Sequence, residues 1–259
     1  MYLREAHAEA HVPVLQQLIR ENPLGILTTA IKSPQHPFIL ASHIPFVLDV
    51  PENADGTLSN GILRGHIAKQ NPQAKVLMEA VAARKEQGHD TLELLDEVLV
   101  LFNGPHHHYV TPKFYVETKP DSGKVVPTWN YSAAEVYGKV TVYCDSKSST
   151  TSSFLQRQLG DLTRQSESLI MGHTGGDEPS PWEVSDAPAP YIEILQKNII
   201  GIEIRIDRIG GKFKMSQEMG KGDRAGVING FNNLGTETGE GIAKTVEERG
   251  QLKDSHKRA

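Results

Sequence analysis

Three polar clusters in this 259-residue chain carry side chains suited to holding a flat, phosphorylated heterocycle. They are Gly65-His66-Ile67-Ala68-Lys69-Gln70-Asn71-Pro72, Val126-Pro127-Thr128-Trp129-Asn130-Tyr131 and Lys214-Met215-Ser216-Gln217. Each lies against a β-type segment. Together they offer imidazole, ammonium, amide and indole groups, and so hydrogen-bond donors, acceptors and an aromatic face. One such cluster is a turn or a helix cap; three built from different donors point to a cofactor. A further run, His106-His107-His108, invites a metal reading. Adjacent strand residues point to opposite faces, so only His106 and His108 can converge, and no carboxylate or cysteine stands nearby. No metal site is assigned. Beyond the histidines there is no obvious general acid or nucleophile, so no catalytic residue is assigned and any redox chemistry falls to the cofactor.

These clusters need a scaffold, and hydrophobic periodicity supplies one. Residues 5–21 place Val12, Leu15, Leu18 and Ile19 at helical spacing and stop at Asn22-Pro23. Residues 25–30 and 38–48 are β-rich and form a hairpin. Asp55-Gly56 marks a turn, and 57–68 is a third strand that ends where Asn71-Pro72 opens a helix. The charged stretch 84–96 reads as a solvated extension or insertion. Residues 98–102 form a central strand, 107–111 a strand pairing back, 113–117 a helical turn and 133–145 a long strand. A helix over 148–167 precedes a Gly/Pro/Asp-rich loop, 172–190, that carries Trp182. The short helix 191–197 leads to a last strand, 199–209. Beyond Gly220 apolar residues are sparse and the chain end reads as a mobile tail. The expected division is therefore one domain over 1–220 and a partly mobile C-terminal extension over 221–259. Six or seven strands with helices between some of them predict an α+β fold, an antiparallel barrel flanked by helices. No GxGxxG motif supports a doubly wound sheet.

Composition narrows the function classes. With 38% hydrophobic and 23% charged residues the chain is an ordinary globular one, long enough to bury a core. A net charge of -5 gives no global support for a basic face, though it leaves room for a local patch, and argues against direct DNA binding. The single cysteine, Cys144, excludes an internal disulfide framework and a multi-cysteine zinc site, and favours a reducing compartment. It reads as a half-buried strand residue. No segment has the roughly 20 apolar residues needed to span a bilayer, and no signal pattern opens the chain. A cytoplasmic location is expected.

Five motifs occur in an order that carries a family resemblance. Ala41-Ser42-His43-Ile44-Pro45 comes first, then the Gly65 to Pro72 cluster, then Phe102-Asn103-Gly104-Pro105-His106. The Val126 to Tyr131 cluster and Gly211-Lys212-Phe213-Lys214-Met215-Ser216-Gln217 complete the series. Over about residues 1–230 the chain resembles the PaiB family of FMN-binding negative transcriptional regulators. The resemblance implies a split β-barrel of the flavin-reductase and pyridoxamine-phosphate-oxidase type, a homodimer, and FMN at the subunit interface. The sequence departs from the family pattern in places. Lys113-Phe114-Tyr115 replaces a usual Ser-Trp-Tyr, three histidines replace one, and Lys214-Met215-Ser216-Gln217-Glu218-Met219 loses a cation of the usual motif. The charged stretch 84–96 is longer than usual.

Roles in such a site follow from chemistry. A flavin phosphate calls for cations and N–H donors, which Lys69, Gln70 and Asn71 supply at a strand-to-helix junction; alternatively they are an exposed helix start. His66 is either a flavin contact or a core histidine bonded to a carbonyl. The small pair before His43, with Ser42 and the Ile44 backbone, lets a flat ring approach the strand; otherwise His43 lines the barrel. Thr128, Trp129 and Asn130 bring an indole and an amide. Lys214, Ser216 and Gln217 can reach a flavin from a partner chain, and a cation near its pyrimidine edge would stabilise the reduced form; otherwise Lys214 is a solvated charge near a strand end. Haem is the alternative cofactor, since related split barrels bind it through histidine. Two function classes stay open: a flavoprotein taking electrons from a nicotinamide or another small donor, and a sensor or regulator without turnover.

Overall fold

The computed structural model describes residues 1–52, 59–89 and 91–256. The chain divides into two compact units, a larger one of residues 19–102 and 136–209 and a smaller one of 1–18, 103–135 and 210–259. The turn expected at Asp55-Gly56 lies outside the described residues.

The larger unit is built on one sheet. Strands β2 (Leu24–Ala30) and β3 (Ile39–Pro45) form the expected hairpin, with Ile26 opposite His43. Four further strands are β4 (Val47–Asp49), β5 (Ile62–Ala68), β6 (Glu93–Asn103) and β8 (Thr128–Tyr143), and β9 (Ile199–Lys214) completes the row. Their order is β3-β2-β6-β8-β9-β5-β4, and the pairs β2–β3, β2–β6, β5–β9 and β4–β5 are antiparallel. The sheet curls: a Cβ placed on Gly65 in β5 would lie 3.0 Å from Ile44 in β3 and 3.1 Å from Phe46. Strands far apart in the order thus pack against each other, which makes the sheet an antiparallel split β-barrel. Phe46 meets Phe102 of β6 edge to face inside it, with centroids 5.9 Å apart.

Helices flank this barrel. Helix α2 (Pro72–Glu86) starts with Pro72 in its first turn and Asn71 as cap, the side-chain oxygen accepting from the Gln73 N–H at 2.8 Å. Helix α4 (Ser149–Gln165) seats against the sheet because Gly201 has no side chain: a Cβ there would lie 2.4 Å from the Phe154 ring. Phe154 stacks on Tyr143 at 4.0 Å. The 84–96 stretch is shared between a helix and a strand. Helix α2 takes it to Glu86 and β6 begins at Glu93.

In the smaller unit β1 (Ala8–Glu9) pairs antiparallel with the end of β9, and β7 (His108–Val110) pairs with the start of β8. The first helix, α1, is therefore shorter than its apolar spacing suggested, Val12–Glu21, because residues 8 and 9 are drawn into the sheet. A short helix α3 (Thr118–Ser122) follows a 3-10 turn at Pro112–Phe114. Helix α5 (Ala189–Lys197) belongs to the larger unit.

The segment expected to be a tail is helical: α6 (Lys221–Asn232) and α7 (Glu237–His256). Its few apolar residues are placed to be buried, Val227 and Phe231 on α6 and Ile242, Ala243 and Val246 on α7. Its glycines are contact points. A Cβ on Gly226 would meet the Phe114 carbonyl oxygen at 2.1 Å, and one on Gly230 the Phe114 ring at 2.4 Å.

Asp223 fastens α6 to α3. Its buried carboxylate accepts from the Glu117 N–H at 2.8 Å, the Thr118 N–H at 3.2 Å and the Thr118 hydroxyl. Burial raises its pKa, but the Thr118 and backbone bonds outweigh this and hold it below its ordinary 3.8. A depressed carboxylate stabilises the fold above its unfolded pKa and ceases to as pH falls through the folded value. Asp223→Ala is expected to cost about 2 to 3 kcal/mol at neutral pH, as for lost charge-assisted bonds. Denaturant melts should show the difference between wild type and variant shrinking as pH falls below the ordinary 3.8; a constant difference would remove the carboxylate's charge from the account.

Candidate functional site

The thirteen candidate residues fall into two groups, one in each unit, and each group has its own bonding. In the smaller unit the first residues of β8 face the loop after β9. Strand β8 starts at Thr128 rather than near Ala133, so the Thr128-Trp129-Asn130 motif is strand and its side chains alternate. Trp129 points outward and is 54% exposed, with its ring 6.1 Å from His107 and 6.3 Å from Tyr109. Asn130 points inward and is 0% exposed.

Lys214 joins this motif from the last residue of β9. Its ammonium donates to the Trp129 carbonyl at 2.9 Å and to the Thr128 hydroxyl, which leaves a third N–H. Burial holds the Lys214 pKa below its ordinary value; Glu218 opposes that shift and Lys212 adds to it. Ser216, buried, donates to Asn130 Oδ1 at 3.1 Å and sits at φ 57, the left-handed region that a serine rarely occupies. Gln217 locks the turn by accepting from the Met215 N–H at 2.7 Å and donating to the Phe213 carbonyl. Asn130 Nδ2 is left without a hydrogen-bond partner although it is buried. A buried amide N–H pair with no acceptor is costly unless something satisfies it.

In the larger unit the candidates are less convergent. Ser42 accepts from Asn71 Nδ2 at 3.0 Å, so with its cap bond both ends of the Asn71 side chain serve the fold. Ile44 is in the core, and only its backbone is left for a ligand. His43 is exposed on β3, Gln70 is exposed, and Lys69 lines a cavity of about 260 Å³ together with Cys144 and Lys197. His66 lies on the α4 side of β5, where its Nδ1 is 2.8 Å from Gln158 Oε1. The alternative of a backbone carbonyl partner is thereby replaced by a side-chain amide. Gln158 is fully buried in mid-helix, and its sequence neighbours carry no signal that would single it out.

Burial lowers the His66 pKa from its ordinary 6.5, with the Gln158 bond opposing the shift. The unfolded chain then takes up the proton more readily, so this histidine's contribution is present above the unfolded pKa and is lost as pH falls from about 6.5 toward the folded value. Unfolding midpoints are expected to drop over that window in the wild type and less in His66→Gln. Equal drops would assign the effect to other groups.

Only His108 of the triple histidine is in a strand, so strand alternation does not set its neighbours' directions. His106 packs against α7, where a Cβ on Gly241 would lie 2.2 Å from its ring. His108 bonds the Tyr109 carbonyl through Nδ1 at 2.7 Å and meets Phe231 edge to face. Among the described residues no group of three histidine, cysteine or acidic side chains is placed to hold a metal ion. No helix among them is long and apolar enough to cross a membrane.

Comparison with known proteins bears on the ligand. The family described as "Putative FMN-binding domain" matches residues 1–208. An uncharacterized protein of Emericella nidulans is 69% identical over 254 residues, covering 98% of this chain and 99% of its own. The protease synthase and sporulation protein PAI 2 of Bacillus subtilis is 26% identical over 251 residues, 96% of this chain and 98% of its own. Among solved structures, the FAD and heme binding protein from Mycobacterium smegmatis aligns with a TM-score of 0.42 at 13% identity, over 80% of this chain and 72% of that one.

Proposed function

Because the chain belongs to this FMN-binding domain family, the one the PaiB resemblance indicated, we propose that it binds FMN as a homodimer and carries electrons from a nicotinamide or another small donor. The observation that carries the reading is the buried Asn130 Nδ2, an unmet donor one residue along from the Trp129 carbonyl that Lys214 holds. A flavin presents ring acceptors that such donors would meet, and the bound cofactor would supply hydride and electron transfer. Lys69 and Gln70 would hold the phosphate in one protomer, and Lys214, reaching in from the partner chain with Asn130 and the exposed Trp129, would meet the electron-rich edge and an aromatic face of the ring. The strained turn at Ser216 keeps its hydroxyl on Asn130 and so aims the free amide N–H groups. Homodimerisation fits the edge strand β3, whose neighbourhood exposes Phe38, Ile39 and Leu24.

The test is an absorption spectrum of the purified protein after separate incubation with FMN and with haem, followed by desalting. Retained bands near about 370 and 450 nm support the reading. A retained Soret band near about 400 nm without them would replace FMN by haem held by a histidine. Steady nicotinamide oxidation by the loaded protein would then establish turnover; flavin binding without it would favour a sensor or regulator acting through a partner protein.

A further inference from the structure

A cleft of about 730 Å³ opens in the larger unit between α4, α5 and the loop carrying Trp182, and none of its lining residues has been given a role above. Its wall adjoins the cavity of about 260 Å³, since Ser152, Glu193 and Gln196 line both. We propose that this cleft binds a nucleotide, with its base against Trp182, its sugar hydroxyls on Glu193 and its phosphate on Lys197, Ser146 and Ser152.

The two adjoining cavities offer groups for each part of a nucleotide, the larger one also holding Arg164 and Glu183. At one end is an aromatic ring, and base stacking on tryptophan is tolerant of base identity. Gln156 and Gln196 line the same space with amides that both donate and accept, as a base edge requires. The residues common to both cavities include one carboxylate, Glu193, which is the group that takes ribose hydroxyls in dinucleotide sites. That carboxylate would repel a phosphate beside it. The small cavity beyond it is cationic and hydroxyl-rich, with Lys69, Lys197, Ser146 and Ser152. Along α4 the cleft runs from Ser152 to Thr163, roughly 16 Å at helical rise, and its volume lies in the range of small-molecule sites.

The aromatic end is held in place by specific bonds. After α4 the chain makes a π-helical turn, Ser166–Ile170, of the kind found at functional sites. Glu167 in that turn accepts from His173 Nδ1 at 2.8 Å and from the Trp182 backbone N–H at 3.1 Å. One carboxylate therefore fixes both ends of the loop segment and keeps an exposed tryptophan over the cleft. A bare surface loop has no need of that clamp.

Lys69 lines the same small cavity and is left to the flavin, so the inference rests on a flavin phosphate leaving room there, and the test reads Trp182 and Lys197. The FMN-loaded full chain is titrated with AMP while tryptophan emission is followed, and the same titration of Trp182→Phe gives the share of the signal that Trp182 reports. Saturable quenching is expected, with AMP affinity about tenfold weaker in Lys197→Ala and FMN content unchanged. Calorimetry with NADH shows whether a dinucleotide is the preferred form. The absence of saturable AMP and NADH binding at millimolar concentration would overturn the proposal. So would binding that neither Lys197→Ala nor Trp182→Phe weakens, or AMP that displaces FMN, which would make the cleft the flavin's own seat.

Discussion

Arg64→Ala is expected to destabilise the larger unit by about 3 kcal/mol, the lower end of the cost of breaking a buried ion pair. Arg64 is 2% exposed, and its guanidinium donates to both Asp49 oxygens at 2.5 and 2.9 Å and to Asp161 at 2.8 Å. It thereby ties β4 and β5 to α4. Asp49 and Asp161 are each 32% exposed, so water and Arg157, 3.2 Å from Asp49, take over part of their solvation when Arg64 is lost. That keeps the cost from the top of the range. The rest is packing of the buried stem, which Arg64→Met would keep while removing the charge. Urea melts of both variants separate the two contributions. A loss under about 1 kcal/mol for Arg64→Ala would mean that α4 is held by its apolar contacts alone.

The consequence reaches the site candidates, because α4 also carries Gln158 and one wall of the nucleotide cleft. Loosening it should release His66 from its buried hydrogen bond, and the His66 titration should then move toward the value of a solvated imidazole.

What the sequence disclosed, and what it withheld, divides along physical lines. The hairpin of β2 and β3, the strand at β6 and the cap at Asn71 were readable, because alternation and capping chemistry are local properties. The extents of β8 and β9 were not: Thr128 to Ser132 and Gly210 to Lys214 hold Gly, Trp, Asn and Lys, whose strand state comes from partners distant in sequence. The C-terminal helices were missed for a related reason. Gly226 and Gly230 lower helix propensity, yet they are where Phe114 approaches, a contact no local pattern encodes. Of the candidate site, the bonding of Lys214 to the Thr128-Trp129 motif and of Ser216 to Asn130 unites motifs first chosen separately. The Gln158 partner of His66 was invisible, since a mid-helix glutamine is usually a solvated residue.

Lys214→Ala is expected to weaken FMN binding by about 2 to 3 kcal/mol, the scale of a lost hydrogen bond to a charged group. Lys69→Ala should cost about 1 to 3 kcal/mol through the phosphate. The two differ in kind. A cation at the electron-rich edge stabilises reduced flavin more than oxidised flavin, so Lys214→Ala should also lower the midpoint potential, whereas loss of Lys69 should weaken both redox forms alike. The depressed pKa of Lys214 sharpens this: burial disfavours its charge, and an anionic reduced ring beside it would restore that charge. Asn130→Leu supplies the companion experiment. It removes the unmet Nδ2 donor and leaves the buried Ser216 hydroxyl without its acceptor, so apo-protein stability should fall by about 1 to 3 kcal/mol and FMN affinity should fall as well. Flavin binding titrations and a redox titration of each variant decide the matter. A Lys214 variant with unaltered affinity and potential would remove this lysine from the flavin site, and an Asn130→Leu protein that binds FMN normally would make the buried amide an internal feature of the fold.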